Sequence, residues 1–122
     1  MSDTNQFSFT LEQQDDFAFL IRFDKGIPPL LADEPPPLGQ GAGPSPMQLL
    51  CASVGNCLGA SLLFALRKYK QDPGALQCEV VGEVGRNADK RLRVSAITAR
   101  LSLGVPADAV EHLERVLATF ED

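Results

Sequence analysis

Apolar and polar residues alternate in two short stretches near the N-terminus. Phe7, Phe9 and Leu11 share one side of the first stretch, and Phe17, Phe19, Ile21 and Phe23 share one side of the second. The polar run Gln13-Gln14-Asp15-Asp16 lies between them. A period of two on both flanks of a polar turn predicts a β-hairpin whose odd positions face a core. Arg22 then falls on the opposite face, as a solvated strand residue. Residues 24–44 are rich in proline and glycine, "DEPPPLGQGAGP" among them. They predict a loop, because such a run holds neither a ladder nor a helix interior. At about 20 residues the loop is longer than most connectors, which marks it as one that lines a site or meets a partner.

A long helix follows. Ser45 stands at the N-cap position, Pro46 at the first helical position, and Gln48 three residues after Ser45. This is the pattern of a capping box with a well-placed proline. The helix is expected to run to about Lys70 and to stop at Asp72-Pro73-Gly74. Arg67, Lys68 and Lys70 offset the negative end of its dipole. No charge occurs from Leu49 to Leu66, a run of 18 residues. That is the lower edge for a membrane span. Ser53, Asn56 and Ser61 interrupt the run, and the rest of the chain is amphipathic, so the expectation is a core helix and not a membrane span.

Beyond the helix, Cys78, Val80, Gly82 and Val84 alternate through residues 77–85, and a polar turn occupies 86–90. In residues 92–103 the apolar positions change parity. Leu92, Val94 and Ala96 give way to Ile97, Ala99, Leu101 and Leu103, which predicts a bulge or bend. Pro106 is expected to open a second helix with the stripe Val110, Leu113, Val116, Leu117 and Phe120. His112 lies off that stripe, as a surface residue. The helix reaches Glu121-Asp122 with no glycine, asparagine or basic last turn, the wrong charge for a helix C-terminus. That hints at a natural chain continuing past Asp122.

Composition sets broad limits. The chain has 122 residues, 44% apolar and 22% charged, with a formal net charge of -5. This suits one domain with one core and argues against a nucleic-acid partner, which wants clustered cations. Three cysteines, Cys51, Cys57 and Cys78, make a poor disulfide framework, and the single histidine gives no metal site. The N-terminus lacks the basic start and apolar run of a signal peptide. Free thiols without an export signal predict the cytoplasm.

An all-round apolar helix is hard for one small chain to surround, and a homodimer that packs two such helices together solves the problem. Gly55 and Gly59 share a face and are read as the place where a neighbouring helix approaches closely. Each glycine costs about 1 kcal/mol against alanine in a helix, so a packing or site reason is expected. Cys57 lies between them. Cys51 is about 120° away around the helix, so the two thiols do not share a face. A buried cysteine ordinarily acts as a small apolar side chain. A reactive one needs a cation or donors nearby, and the helix supplies only Asn56 and Ser61 within a turn.

The stretch "DEPPPLGQGAGPSPMQLLCASVGNCLGASLLFALRK" resembles the signature region of the OsmC/Ohr superfamily, the osmotically inducible and organic-hydroperoxide-resistance proteins. The shared pattern is a Gly/Pro-rich loop, then Gly-Pro-x-Pro at a helix start, then an apolar helix with a cysteine about ten residues in. The resemblance covers residues 7–122. It implies a single OsmC-like domain over 1–122 of the α+β class, with antiparallel sheets wrapped around a long central helix in an intertwined homodimer. It also implies a chemistry: Cys57 attacks the terminal oxygen of an organic hydroperoxide, an external thiol reduces the product, and no metal or organic cofactor takes part. The second, resolving cysteine of the family would fall just after "ATFED", and Cys78 does not match it.

Two departures bear on that chemistry. Where the hydroperoxide-resistance branch has a glutamate near the helix start, this chain has Met47. Where that branch takes an arginine from the first hairpin turn, this chain has Gln13-Gln14-Asp15-Asp16, and Arg22 is the nearest substitute. The chain thus resembles the OsmC-like branch more. Its expected site is Cys57, with Asn56, Met47 and Arg22 as neighbours. The alternative to a peroxidase is a dimeric binding or stress module that keeps the fold without the chemistry.

Overall fold

A computed structural model describes residues 5–24 and 26–119. The chain packs as two compact units, residues 1–49 and 50–122. In the first, strands β1 (Thr10–Gln13), β2 (Phe19–Arg22) and β3 (Leu30–Ala32) form an antiparallel sheet in that order. Leu11 pairs with Ile21 and Gln13 with Phe19, so the hairpin has the expected parity. The Phe9 ring lies 5.3 Å from that of Phe23 and 6.5 Å from that of Phe7. The expected burial of this face is only partly met. Ile21 is buried and Phe23 half-buried, whereas Phe7, Phe9, Leu11, Phe17 and Phe19 remain exposed. Three strands this short have little of their own to lay over such a face.

The segment 24–44 departs from the loop expected of it. Leu30–Ala32 lies between prolines and pairs with β2, Ile21 opposite Leu30 and Phe19 opposite Ala32. Prolines bound this strand without entering it, so its own N–H groups remain able to bond. The rest of the segment is built around Asp33, which is 3% exposed. One carboxylate oxygen accepts the Glu34 N–H at 2.8 Å, and the other accepts those of Gln40 and Ala42, each at 3.1 Å. The Asp33 N–H in turn donates to the Pro44 carbonyl at 3.0 Å. Close turns make the glycines necessary: a Cβ at Gly43 would overlap the Leu31 carbonyl, and one at Gly39 the Glu34 carbonyl. The loop is therefore a folded structure organised by one carboxylate. The Ala42 N–H, helped by those of Gln40 and Glu34, holds that carboxyl below its ordinary 3.8 against the desolvation that would raise it.

Helix α1 (Pro46–Lys68) starts as the sequence predicts. The Ser45 N–H donates to Gln48 Oε1 at 2.8 Å, and the Gln48 N–H to Ser45 Oγ at 3.2 Å, the two halves of a capping box. It ends two residues before the expected Lys70. The Lys70 N–H bonds the Arg67 carbonyl and the Gln71 N–H bonds the Leu66 carbonyl, with Lys70 at φ 58°. That is a Schellman end with lysine in the left-handed position usually taken by glycine.

In the second unit, β4 (Gln77–Arg86) and β5 (Leu92–Ser102) form an antiparallel hairpin. Glu83 pairs with Ala96 but Val84 with Val94, so Ser95 is an extra residue. This is the bulge that the change of apolar parity predicts. The helix lies on this hairpin through its small residues. A Cβ on Gly55 would overlap Val80 Cγ2, and one on Gly59 would sit 3.7 Å from Leu101. Cys51 Sγ in turn lies 2.6 Å from where a Gly82 Cβ would be. Both glycines thus face the sheet of their own chain, and the close approach within the chain is the one Gly55 makes to Val80.

Further along the helix, Leu62 and Leu66 form a buried cluster with Val110 and Val116. The second helix is shorter than expected. Pro106 precedes a 3-10 turn at Ala107–Ala109, and α2 begins only at Leu113 and runs to Thr119. Two features break the run: Val110 is extended, and His112 has φ 62° and lies 5.2 Å from the Tyr69 ring. Of the expected stripe, Val110 and Val116 are buried and Leu117 is exposed. Phe120, Glu121 and Asp122 lie outside the described residues.

Three predictions test these readings. Gly55→Ala should destabilise by about 1–2 kcal/mol, because the stiff Val80 side chain leaves no room, whereas Gly59→Ala should stabilise by about 0.5–1 kcal/mol, each read by urea unfolding. Lys70→Gly should stabilise by up to about 1 kcal/mol by relieving the left-handed φ. Asp33→Asn should lower the melting temperature most above pH ~5. The folded carboxyl titrates below the unfolded one, so its stabilisation is complete above 3.8 and is lost as pH falls through the folded value. Melting curves of the two proteins should thus converge in acid.

Candidate functional site

The three thiols are separated by the geometry of α1. Its side toward the hairpin is set by Cys51, Gly55, Gly59, Leu62 and Leu66, spaced by three or four residues with one turn between the last pairs. Cys57 follows Gly55 by two residues, about 200° around the helix, and so faces away from the sheet. Cys57 is exposed, whereas Cys51 and Cys78 are half-buried. Cys78 Sγ lies 3.4 Å from where a Gly55 Cβ would stand, which places it under the helix.

The outward face around Cys57 is made of small and apolar groups. Ser53, Asn56, Ala60 and Phe64 are exposed beside it, Phe64 at 69%. Ser53 turns its hydroxyl back onto the Leu50 carbonyl at 2.7 Å, leaving Asn56 and the half-buried Ser61, one turn beyond Cys57, as the polar neighbours whose side chains bond no partner among the described residues. The nearest cation on the helix that meets this face is Lys68, whose Nζ lies 6.0 Å from the Phe64 centroid. Among the described residues the Cys57 thiol bonds no donor and pairs with no cation.

Two other expected site residues belong to the first unit. Arg22 lies on the solvated side of β2, as its parity predicts, and its Nε donates to Glu12 Oε1 at 2.7 Å. Met47 is half-buried in the first turn of α1. A thioether there holds no charge and accepts hydrogen bonds only weakly. Asp33 was not among the expected residues. An acid beside Glu34 and ahead of three prolines carries no periodic signal, and only the folded loop shows its three N–H partners. Among the described residues no group of three or more His, Cys, Asp or Glu side chains is arranged to hold a metal ion.

Similar folds occur in solved structures. An osmotic stress induced and detoxification response protein of Psychrobacter arcticus 273-4 superposes with a TM-score of 0.78 at 18% identity, covering 99% of this chain and 83% of its own. An OsmC-like protein of unknown function from Vibrio cholerae O1 biovar eltor also gives a TM-score of 0.78 at 18% identity, covering 97% and 88%. An organic hydroperoxide resistance protein of Elizabethkingia anophelis, with thiocyanate bound, gives 0.64 at 16% identity, covering 99% and 89%. At these identities the likeness is one of fold: antiparallel sheets with one long helix. No curated protein matches the chain. The family model of OsmC-like proteins matches residues 39–122, the stretch that holds the end of the Asp33 loop, α1 and the β4–β5 hairpin. The chain therefore belongs to the OsmC-like protein family.

Proposed function

We propose that the protein is a cysteine-dependent peroxidase of organic hydroperoxides, acting in the cytoplasm as a homodimer, with Cys57 as its nucleophile. One observation carries this reading: of three thiols, Cys57 is the one exposed on the uncharged face of α1 that the chain's own sheet leaves uncovered. An apolar hydroperoxide is matched to such a face, and in this reading the neighbouring Asn56 amide would donate a hydrogen bond beside the sulfur. Family membership supports the reading, and so does the fold shared with the Elizabethkingia organic hydroperoxide resistance protein.

The chemistry balances without a metal or organic cofactor. The Cys57 thiolate attacks the terminal oxygen of ROOH and the O–O bond breaks. Sulfur gives up two electrons and becomes a sulfenic acid, while the departing alkoxide takes a proton to leave as ROH. An external thiol then condenses with the sulfenic acid, releasing water and leaving a mixed disulfide. A second thiol displaces Cys57 and carries the disulfide away.

The same helix supports the homodimer. Only Gly55, Leu62 and Leu66 of α1 are buried within the chain. Pro46–Lys68 is long and apolar enough to cross a membrane by length and composition, its most apolar 18 residues having a mean hydropathy of 1.9. Its lateral packing on β4 and β5 favours protein cover instead, because the open edges of a two-stranded sheet have no partners in hydrocarbon. A second copy supplies that cover, and burial of apolar surface at about 25 cal/mol per Å² is the driving force.

A dimeric binding module is the second reading, favoured by one observation. Arg22 is engaged by Glu12, and no described cation meets the Cys57 sulfur. Assays on the purified protein with a dithiol separate the two. The peroxidase reading expects consumption of an alkyl hydroperoxide, lost by about 10²-fold or more in Cys57→Ser and retained in Cys51→Ser. Equal inertness of wild type and Cys57→Ser toward several hydroperoxides and reductants would refute it. Iodoacetamide labelling at neutral pH adds a second measure: the peroxidase reading expects fast, selective modification of Cys57, and the binding module expects slow modification.

A further inference from the structure

Charge is divided unevenly along the chain. Residues 1–49 carry seven acids against two cations, a net -5, so residues 50–122 sum to zero. Within that neutral half, Arg86, Lys90, Arg91 and Arg93 crowd the tip of the β4–β5 hairpin, with Asp89 as the one acid among them. All of residues 86–93 are exposed. The tip has a fixed shape: Asn87 Oδ1 accepts the N–H groups of Asp89 and Arg91, each at 3.0 Å, and the Lys90 N–H donates to the Asn87 carbonyl at 2.8 Å. Arg86 and Arg93 each spend one N–H on a carbonyl of the tip itself. Among the described residues none of the four cations is in an ion pair.

The β1–β2 turn is its counterpart in charge. Asp15 and Asp16 are exposed there, and no described partner bonds either carboxylate. This turn is also fixed by backbone groups. The Gln14 N–H donates to the Ala18 carbonyl and the Ala18 N–H to the Asp15 carbonyl, both at 2.8 Å, and Gln13 Nε2 donates to the Asp16 carbonyl at 2.9 Å. Two preformed turns of opposite sign, each in no ion pair among the described residues, are complementary surfaces that need little ordering to meet.

We propose that the cationic β4–β5 tip of one copy docks on the acidic β1–β2 turn of a second copy. The inference rests on the homodimer of the functional reading and names the polar surfaces that meet in it. In a symmetric dimer the contact occurs twice, so each substitution acts at two places. Both surfaces are solvated at their rims, which makes the contact sensitive to salt on the scale of a Debye length of about 10 Å at 0.1 M.

Sedimentation velocity of the full chain tests this at about 50 and about 500 mM NaCl. Arg91→Glu with Arg93→Glu reverses the tip, and Asp15→Lys with Asp16→Asn reverses the turn. These choices leave Lys90 in place and put asparagine, which tolerates the left-handed region, at Asp16 (φ 49°). Each pair should weaken dimerisation about tenfold or more at low salt, and all four changes together should restore it to within about threefold. Wild type should weaken with salt and the tip variant should not. A dimer whose dissociation constant ignores both reversals overturns the docking while leaving the homodimer intact. A chain that stays monomeric under every condition removes the homodimer as well. Retention of wild type, but not the tip variant, on anionic vesicles or single-stranded DNA, with dimerisation unchanged, assigns the tip to that partner instead and overturns the proposal.

Discussion

Helix α1 presents 18 consecutive uncharged residues, and its own chain covers only the side set by Gly55, Leu62 and Leu66. Water is a poor neighbour for the rest of that surface, so the remaining architecture answers to the need for cover. The β4–β5 hairpin meets it on one side. Glycines and cysteines at the contact let the helix backbone come close to the strands, and the Ser95 bulge re-aims β5 partway along. The other side is left with Cys57, Ala60 and Phe64.

That uncovered face is also what gives the thiols different prospects. Cys51 and Cys78 are packing residues at a helix–sheet contact, where a small, weakly polar side chain fits against glycine. Cys57 has the same chemistry but a different surrounding, decided by a rotation of two residues along one helix. A nucleophilic role then depends on what approaches the outward face, since only Asn56 and Ser61 are uncommitted polar groups within a turn of Cys57 on the helix. The charges at the two hairpin turns, in no ion pair among the described residues, fit the same picture as surfaces that the proposed second copy would finish.

Much of this was legible in the residues. The alternation on both sides of Gln13–Asp16, the Ser45–Gln48 capping box and the parity change through Ala96 and Ile97 each match a local feature of the fold. Each depends on contacts a few residues apart, or on one repeated period, which sequence states directly. The loop signature and the position of Cys57 within it pointed to the family that the residues 39–122 match. Strand β3 was hidden because Leu30–Ala32 is too short to alternate. The early break before α2 was hidden because the apolar spacing from Val110 to Leu117 is helical even though His112 is not.

The sequence alone determined the first hairpin, α1 with its cap, the β4–β5 hairpin with its bulge and the different faces of Cys51 and Cys57, because backbone periodicity and local hydrogen bonding are properties of neighbours in the chain. Only the tertiary structure decided what lies against each face. A glycine pair reads the same whether a helix or a strand fills the space beside it, and here Val80 and Leu101 of the hairpin do so. A carboxylate such as Asp33 reads as a solvated loop acid until residues up to nine positions away turn three N–H groups toward it. Close approach between distant parts of a chain is set by the sum of all its packing, and no local pattern encodes it.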